Sequence, residues 1–271
     1  MGKGSRTLRK VIPVLSAPAA RISRLVRGGG VRILMYHRVA DCPGDRLSVS
    51  PGEFARQMDF LLGEGYRVET LSGALAGRDE GKTVLVLTFD DGYLDFYDTA
   101  FPVLKQRRLP ALVFVVPGFI DGPVALERYR TGPKQSRPLS WEMLDEMRGY
   151  GIAVGSHSLS HRELTGLPAP EAEREIAGSA SRIGERLGVR PEWFSYPRGK
   201  HTPDLAARVR TAGYRGAVTV RPGTNRRPYD LFRLRRTEVS RDDDLGDFRM
   251  KIEGAFDLWH HLWQKAVGEG L

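Results

Sequence analysis

Along this chain, short apolar runs alternate with stretches whose apolar residues recur at helical spacing. Residues 31–36 read as a strand. Residues 84–89, Val84-Leu85-Val86-Leu87-Thr88-Phe89, and residues 111–116 are continuous apolar runs, the pattern of strands buried on both faces. Residues 66–68, 152–155 and 193–196 add shorter strands, and residues 214–220 and 231–239 two later ones. Between them lie helix signals. Ser50-Pro51-Gly52-Glu53 predicts a capping box with proline at the first helical position, opening a helix with Phe54, Met58, Leu61 and Leu62 on its apolar face. Pro102 and Ser140 open two short helices. Pro170 starts a longer one, with Ile176, Ala180, Ile183 and Leu187 on one face and Gly188 as its stop. Thr202-Pro203 starts another that ends at Gly213. The last predicted helix, residues 247–266, carries Phe248, Ile252, Phe256, Trp259 and Trp263 on one stripe, the spacing of core packing. Residues 117–138 read as a long loop rich in Gly, Pro and Arg.

Strand–helix alternation predicts a mainly parallel sheet with helices outside it. The chemically able residues fall at strand C-termini, and in parallel α/β barrels that end carries the active site. The expected fold is therefore α/β, with an open doubly wound sheet as the runner-up. At 271 residues the chain suits one large domain with a full core. Gly28-Gly29-Gly30 separates a tail, residues 1–30, from a body, residues 31–271.

Charge sharpens that division. The formal net charge is +9. Lys3, Arg6, Arg9, Lys10, Arg21, Arg24 and Arg27 place +7 of it in the tail, which has no acidic residue. The tail is thus the candidate for peripheral contact with anionic lipid, and the sequence carries no specific nucleic-acid motif. No apolar run approaches the ~20 residues of a membrane span. Residues 11–20 make only a weak, proline-interrupted signal-peptide core, so a cytoplasmic location, membrane-associated through the tail, is expected ahead of secretion. The single cysteine, Cys42, excludes a disulfide framework and any multi-cysteine zinc cluster. A metal would need nitrogen and oxygen ligands.

Such ligands stand in two places. Asp90-Asp91-Gly92 follows the apolar run at 84–89, and His157 and His161 sit four residues apart after the run at 152–154. Neighbouring side chains on a strand point to opposite faces, so the two aspartates converge only if the strand has ended, a turn that Gly92 permits. Adjacent carboxylates repel, and a nearby cation would stabilise both. One Asp and two His match an open three-ligand zinc site with a vacant position for water. Asp-Asp-Gly alone is an ordinary turn, and a His pair alone is an ordinary surface feature. The pieces count jointly because each falls after a strand. An aspartyl-phosphate enzyme is excluded, because its signature needs one residue between the aspartates.

Thr88-Phe89-Asp90-Asp91-Gly92, His157-Ser158-Leu159-Ser160-His161 and Phe194-Ser195-Tyr196-Pro197-Arg198-Gly199 resemble, in order, three motifs of the NodB-homology polysaccharide deacetylases (carbohydrate esterase family four). The resemblance implies a distorted (β/α) barrel and metal-dependent hydrolysis of N-acetyl groups on amino sugars of a polysaccharide or carrier-linked glycan. By position it implies that Asp91, His157 and His161 hold the metal, usually zinc. Asp90 is then the general base for a metal-activated water, and the backbone N–H of Arg198, beside Pro197, helps hold the oxyanion. The family's late Leu-x-His is missing: Leu231-Phe232-Arg233-Leu234-Arg235-Arg236 stands there. Met35-Tyr36-His37 instead resembles the first strand of a permuted branch that includes biofilm exopolysaccharide deacetylases, which makes His37 the expected general acid. Ser195 stands where the family places an arginine beside the catalytic aspartate, and either Arg235 or Arg236 is a candidate to replace it. These two departures keep a non-catalytic carbohydrate-binding relative as the alternative. Tyr93, Trp141 and Tyr196 are candidates for the apolar face on which a sugar stacks. Arg128, Arg130, Lys134 and Arg137 are candidates to clamp an anionic part of a substrate.

Overall fold

The computed structural model describes residues 29–77, 81–122 and 137–257. The expectations for the basic tail, for most of the 117–138 loop and for Trp259 and Trp263 fall outside these residues. Among the described residues, ten strands and eight α-helices follow one another as β1 (Gly30–Tyr36), β2 (Arg38–Val39), β3 (Ser48–Val49), α1 (Pro51–Gly63), β4 (Arg67–Val68), α2 (Leu71–Ala76), β5 (Thr83–Phe89), α3 (Phe101–Arg107), β6 (Ala111–Val115), α4 (Pro117–Ile120), α5 (Trp141–Arg148), β7 (Ile152–Ser156), α6 (Ala169–Leu187), β8 (Trp193–Ser195), α7 (Pro203–Thr211), β9 (Gly216–Val218), β10 (Arg236–Glu238) and α8 (Leu245–Glu253).

The main sheet runs β10-β1-β5-β6-β7-β8-β9, and all its pairings are parallel. β4 lies beside the first half of β5 and β6 beside the second half. The last gap, between β9 and β10, is bridged by Ala217 N–H to Leu231 O, Thr219 N–H to Leu234 O and Arg236 N–H to Arg221 O. With that seam the sheet comes round on itself as a barrel with helices outside. Among the described residues no helix is long and apolar enough to cross a membrane.

The period of two along each strand divides the side chains into two sets. Val31 and Ile33 of β1, Val84 and Val86 of β5, Leu112 and Phe114 of β6, Trp193 of β8, Val218 of β9 and Leu234 share one core inside the barrel. Leu34, Tyr36, Leu85, Leu87, Phe89, Val113 and Val115 belong to a second core, packed against α1, α3 and α5. This is why β5 is apolar without interruption. A third cluster lies under α6 and α7, around Phe194, Tyr196, Tyr214 and Ile176.

Several elements differ from their sequence reading. Ser50 accepts the Glu53 N–H as a cap should, but the Glu53 side chain pairs with Arg56. α2 begins at a cap the sequence reading passed over, Thr70, whose hydroxyl accepts the Gly73 N–H at 3.1 Å. The 117–138 loop opens with the helical turn α4. The two late strands shrink to β9 and β10, because their neighbouring residues serve the seam and the turn between them. The final helix breaks at Gly254, a left-handed C-cap with φ 88°, so the aromatic stripe does not run along one helix.

Gly155 on β7 marks a tight place inside the barrel. A Cβ there would sit 2.5 Å from Phe114 Cδ1 and 3.0 Å from the Trp193 carbonyl oxygen. Overpacking of this kind costs about 1–3 kcal/mol. Gly155→Ala is therefore expected to lower unfolding free energy by about that amount in urea denaturation, with the urea dependence of the free energy unchanged.

Candidate metal centre

The inward set continues to the strand ends and beyond: Met35 leads to His37, Thr88 to Asp90 and Gly155 to His157 past their strands, and Trp193 to Ser195 at the end of β8, each two residues further on, while Leu234 leads to Arg236 at the start of β10. Chemically able side chains thereby share the inward phase, and the sequence spacing of each strand puts them there.

Asp91 would point the other way if the strand continued. It does not, because its φ is 72°, and Gly92 follows at 66°. Two left-handed residues in succession fold the chain back, and both carboxylates then face the barrel mouth. Gly92 also lies under β6, where a Cβ would meet Val115 Cγ1 at 3.1 Å.

Asp91, His157 and His161 offer ligand atoms that all lie within 4.8 Å of one another. Asp91 Oδ1 is 3.6 Å from His157 Nε2 and 3.5 Å from His161 Nε2. Those distances are long for hydrogen bonds. They match ligands sharing one ion, since tetrahedral donors ~2.0–2.1 Å from zinc sit roughly 3.3 Å apart. His157 Nδ1 lies 2.8 Å from the Ser195 carbonyl oxygen, which can only accept. Nδ1 therefore carries the proton, and in the neutral ring the Nε2 lone pair faces Asp91. Burial, reinforced by the charge of His157, pushes His161 down to about 4, against the pull of Asp91 and Asp90. The donor set thus fits a divalent transition ion.

Asp90 has a different environment. Burial would raise its pKa, but the charges of Arg236 and His157 and two Arg236 hydrogen bonds hold it well below the usual carboxylate range. Arg236 Nη1 donates to Oδ1 and Nη2 to Oδ2, both at 2.7 Å, and both side chains are almost wholly buried. The guanidinium is itself held by Nε donating to Thr219 O at 2.9 Å and by Nη2 donating to Ser195 Oγ at 3.0 Å.

His37 lies at the end of β1, close enough that its charge lowers Asp90 and His161. Its Nδ1 is buried and has no hydrogen-bond partner among the described residues. The next residue, Arg38, donates to Asp95 Oδ2 at 2.8 Å, while Val39 N–H donates to Asp95 Oδ1 at 2.9 Å. That buried pair ties the His37 turn to the segment just after Asp91. A cleft of about 780 Å³ opens at the other end of the barrel, among Val86, Leu112 and Trp193, but it contains none of these groups.

The family model for polysaccharide deacetylases matches residues 77–217. YxkH of Bacillus subtilis, named as a polysaccharide deacetylase, is 31% identical over 212 residues, 77% of this chain and 71% of that protein. This chain belongs to the polysaccharide deacetylase family. The poly-β-1,6-N-acetyl-D-glucosamine N-deacetylase of Staphylococcus epidermidis is 24% identical over 72% of this chain and 69% of its own length. The structure of IcaB from Ammonifex degensii superposes with a TM-score of 0.71 at 31% identity, covering 84% of this chain and 97% of that one. The distorted (β/α) barrel expected from the sequence is the fold of the family.

Within the family frame, the missing third-motif arginine is accounted for. Arg236 reaches Asp90 from β10, and the small side chain of Ser195 leaves it the space. The choice between Arg235 and Arg236 follows from phase: Arg236 continues inward from Leu234, whereas Arg235 is exposed and donates to Pro222 O. The alternation in Leu234-Arg235-Arg236 is the sequence signal that could have decided it.

The aromatic candidates are corrected. Tyr93, Trp141 and Tyr196 are only 1%, 8% and 0% exposed. The Arg38 guanidinium covers Tyr93. Trp141 Nε1 donates to Asp121 at 2.9 Å, and its ring belongs to the outer core. The Tyr196 hydroxyl donates to Phe232 O, and its ring stacks on His201. A sugar has no open ring face to meet at any of them. Pro197 is buried, while Arg198 is exposed at the tip of a left-handed turn with φ 58°. Of the basic loop residues only Arg137 lies in the described part, and its carbonyl accepts the Leu94 N–H.

Removing Arg236 leaves a buried carboxylate unpaired, which costs about 3–5 kcal/mol. Arg236→Gln should therefore destabilise the protein strongly at pH 7 in chemical denaturation. The lowered pKa of Asp90 contributes stability that is present above its unfolded value of about 3.9 and is lost as pH falls below it. The gap between wild type and variant should accordingly narrow as pH falls below about 4.

Proposed function

We propose that the protein is a metal-dependent N-deacetylase of acetylated amino-sugar glycans. The observation that carries this reading is the cluster of Asp91, His157 and His161 beside an ionised, arginine-gripped Asp90 at the mouth of the barrel. The substrate class is supported by relatives such as the staphylococcal poly-β-1,6-N-acetyl-D-glucosamine N-deacetylase.

Asp91, His157 and His161 would hold the ion, zinc by the family's habit, and when bound it supplies the Lewis acidity that polarises the acetamide carbonyl and acidifies water. Asp90 takes the proton of the attacking water as its oxygen bonds to the carbonyl carbon. A carboxylate held so far below its ordinary pKa is a weak base in the resting site, and what Arg236 supplies is constant ionisation and a fixed direction. The Arg198 N–H meets the developing negative oxygen. His37 donates a proton to the departing nitrogen as the C–N bond breaks. The products are acetate and a free amine.

Purified protein, loaded with zinc, should release acetate from N-acetylglucosamine oligomers, and a chelator should stop it until zinc is restored. Asp90→Asn should bind zinc as wild type does and release no measurable acetate. Zinc bound by the wild type with no release from any acetylated oligomer would favour the carbohydrate-binding reading instead. For the acid, His37→Ala should lower turnover about 10²–10⁴-fold with zinc retained, the usual range for a lost proton donor, and should remove the alkaline fall of the pH–rate profile. Unchanged turnover would assign the proton to another group.

A further inference from the structure

The loop that carries both histidines adopts a costly shape. Ser158 and His161 are both left-handed, at φ 62° and 59°, and neither is glycine. A pair of such residues within five positions persists only where surrounding contacts over-determine the backbone. The Ser158 hydroxyl accepts the His161 N–H at 2.9 Å, which closes the loop internally. On one side the Leu159 carbonyl accepts the Gly118 N–H at 2.8 Å. On the other side, among the described residues, one residue supplies the hydrogen bonds that join Leu159 and Ser160 to α6.

That residue is Glu175 on α6. Its Oε2 accepts the Ser160 N–H at 2.8 Å, its Oε1 accepts the Ser160 hydroxyl, and its main-chain carbonyl accepts the Leu159 N–H at 3.0 Å. Leu159 and Ser160 are two of the three residues between the histidines, so this anchor grips the loop where it turns. Glu175 is 7% exposed on a helix face whose other buried residues, Ser179 apart, are Ala172, Ile176, Ala180, Ile183 and Leu187. A carboxyl group on such a face costs stability unless its oxygens are partnered, and an apolar residue would bury more readily. Four residues on, Ser179 Oγ lies 2.6 Å from Ser156 Oγ at the end of β7. The two buried polar residues of α6 thus grip the strand end and the loop that leaves it.

We propose that Glu175 is a positioning residue, which through Ser160 holds the His157–His161 loop in the shape that lets both imidazoles face Asp91. The inference rests on the reading of Asp91, His157 and His161 as metal ligands. Glu175 is not among the ligand atoms. It acts by keeping His161 left-handed, because relaxation of that residue to the ordinary helical or extended region would swing its ring away from Asp91.

The test is zinc affinity of the full-length protein, measured by competition with a chromophoric chelator alongside apo-protein melting. Partners that orient metal ligands typically contribute roughly 10- to 100-fold in affinity. Glu175→Ala should weaken zinc by that factor. Glu175→Gln should lose less, because its amide oxygen still accepts the Ser160 N–H. Adding Ser160→Ala to Glu175→Ala should cost little more, since both remove one linkage. A Glu175→Ala protein that melts lower but binds zinc like wild type overturns the proposal. If that variant does not fold, Glu175→Gln decides, and wild-type affinity there overturns it. Zinc affinity that is unchanged by Asp91→Ala would overturn the metal reading, and this inference with it.

Discussion

The site is organised around the buried pair of Arg236 and Asp90. Taking two charges out of water costs several kcal/mol per ion, and attraction alone repays it only with good geometry. Here the geometry is complete. The guanidinium meets both carboxylate oxygens, and its remaining donors reach Thr219 O, Ser195 Oγ and Thr88 Oγ1. The partners come from β5, β8, the end of β9 and β10, so this one pair joins strands on both sides of the barrel seam. The seam is closed through Leu231, Leu234 and Arg221 and not by a direct pairing of β9 with β10, and the proposed base depends on it for its charge and its direction.

The neighbouring aspartates consequently have unlike chemistry. Asp90 continues the inward phase of β5 into a nest of donors. Asp91 is turned by its positive φ toward two imidazoles. The same device recurs at the other corners. Of the five non-glycine residues with positive φ among those described, Asp91, Ser158, His161 and Arg198 lie in the three motifs, and only Arg108 lies elsewhere, at the end of α3. Strain gathered in this way at one end of the barrel is what a preorganised site requires, and the regular strands below hold it in place.

The buried aromatics show what the mouth of the barrel is not. A ring next to a motif is an attractive sugar platform on paper. In the folded chain Tyr93, Trp141 and Tyr196 instead back the motifs from behind, each with its polar tip or its face already engaged by Asp121, His201, Phe232 O or Arg38. Their proximity in sequence reflects support for the turns. Under the proposed function, a glycan would have to be met by other parts of the rim, where Arg198 is exposed.

The linear pattern alone determined that strands end before Asp90, before His157 and about Tyr196, because continuous apolar runs followed by polar turns admit little else. It determined a mainly parallel α/β sheet through strand–helix alternation, with the distorted barrel implied by the family resemblance, and it singled out the four ligand and base candidates through their position after those runs. Three things had to wait for tertiary structure. Which arginine serves Asp90 depended on the phase of a short segment that pairs across the seam. Whether the aromatics face a ligand or the core depended on what packs over them. That Glu175 belongs with the histidine loop depended on α6 lying across the end of β7, since fifteen residues of chain separate it from Ser160. Period and punctuation are local properties and can be read along a chain. Partnership between side chains far apart in sequence is set by packing, and packing exists only once the barrel has closed.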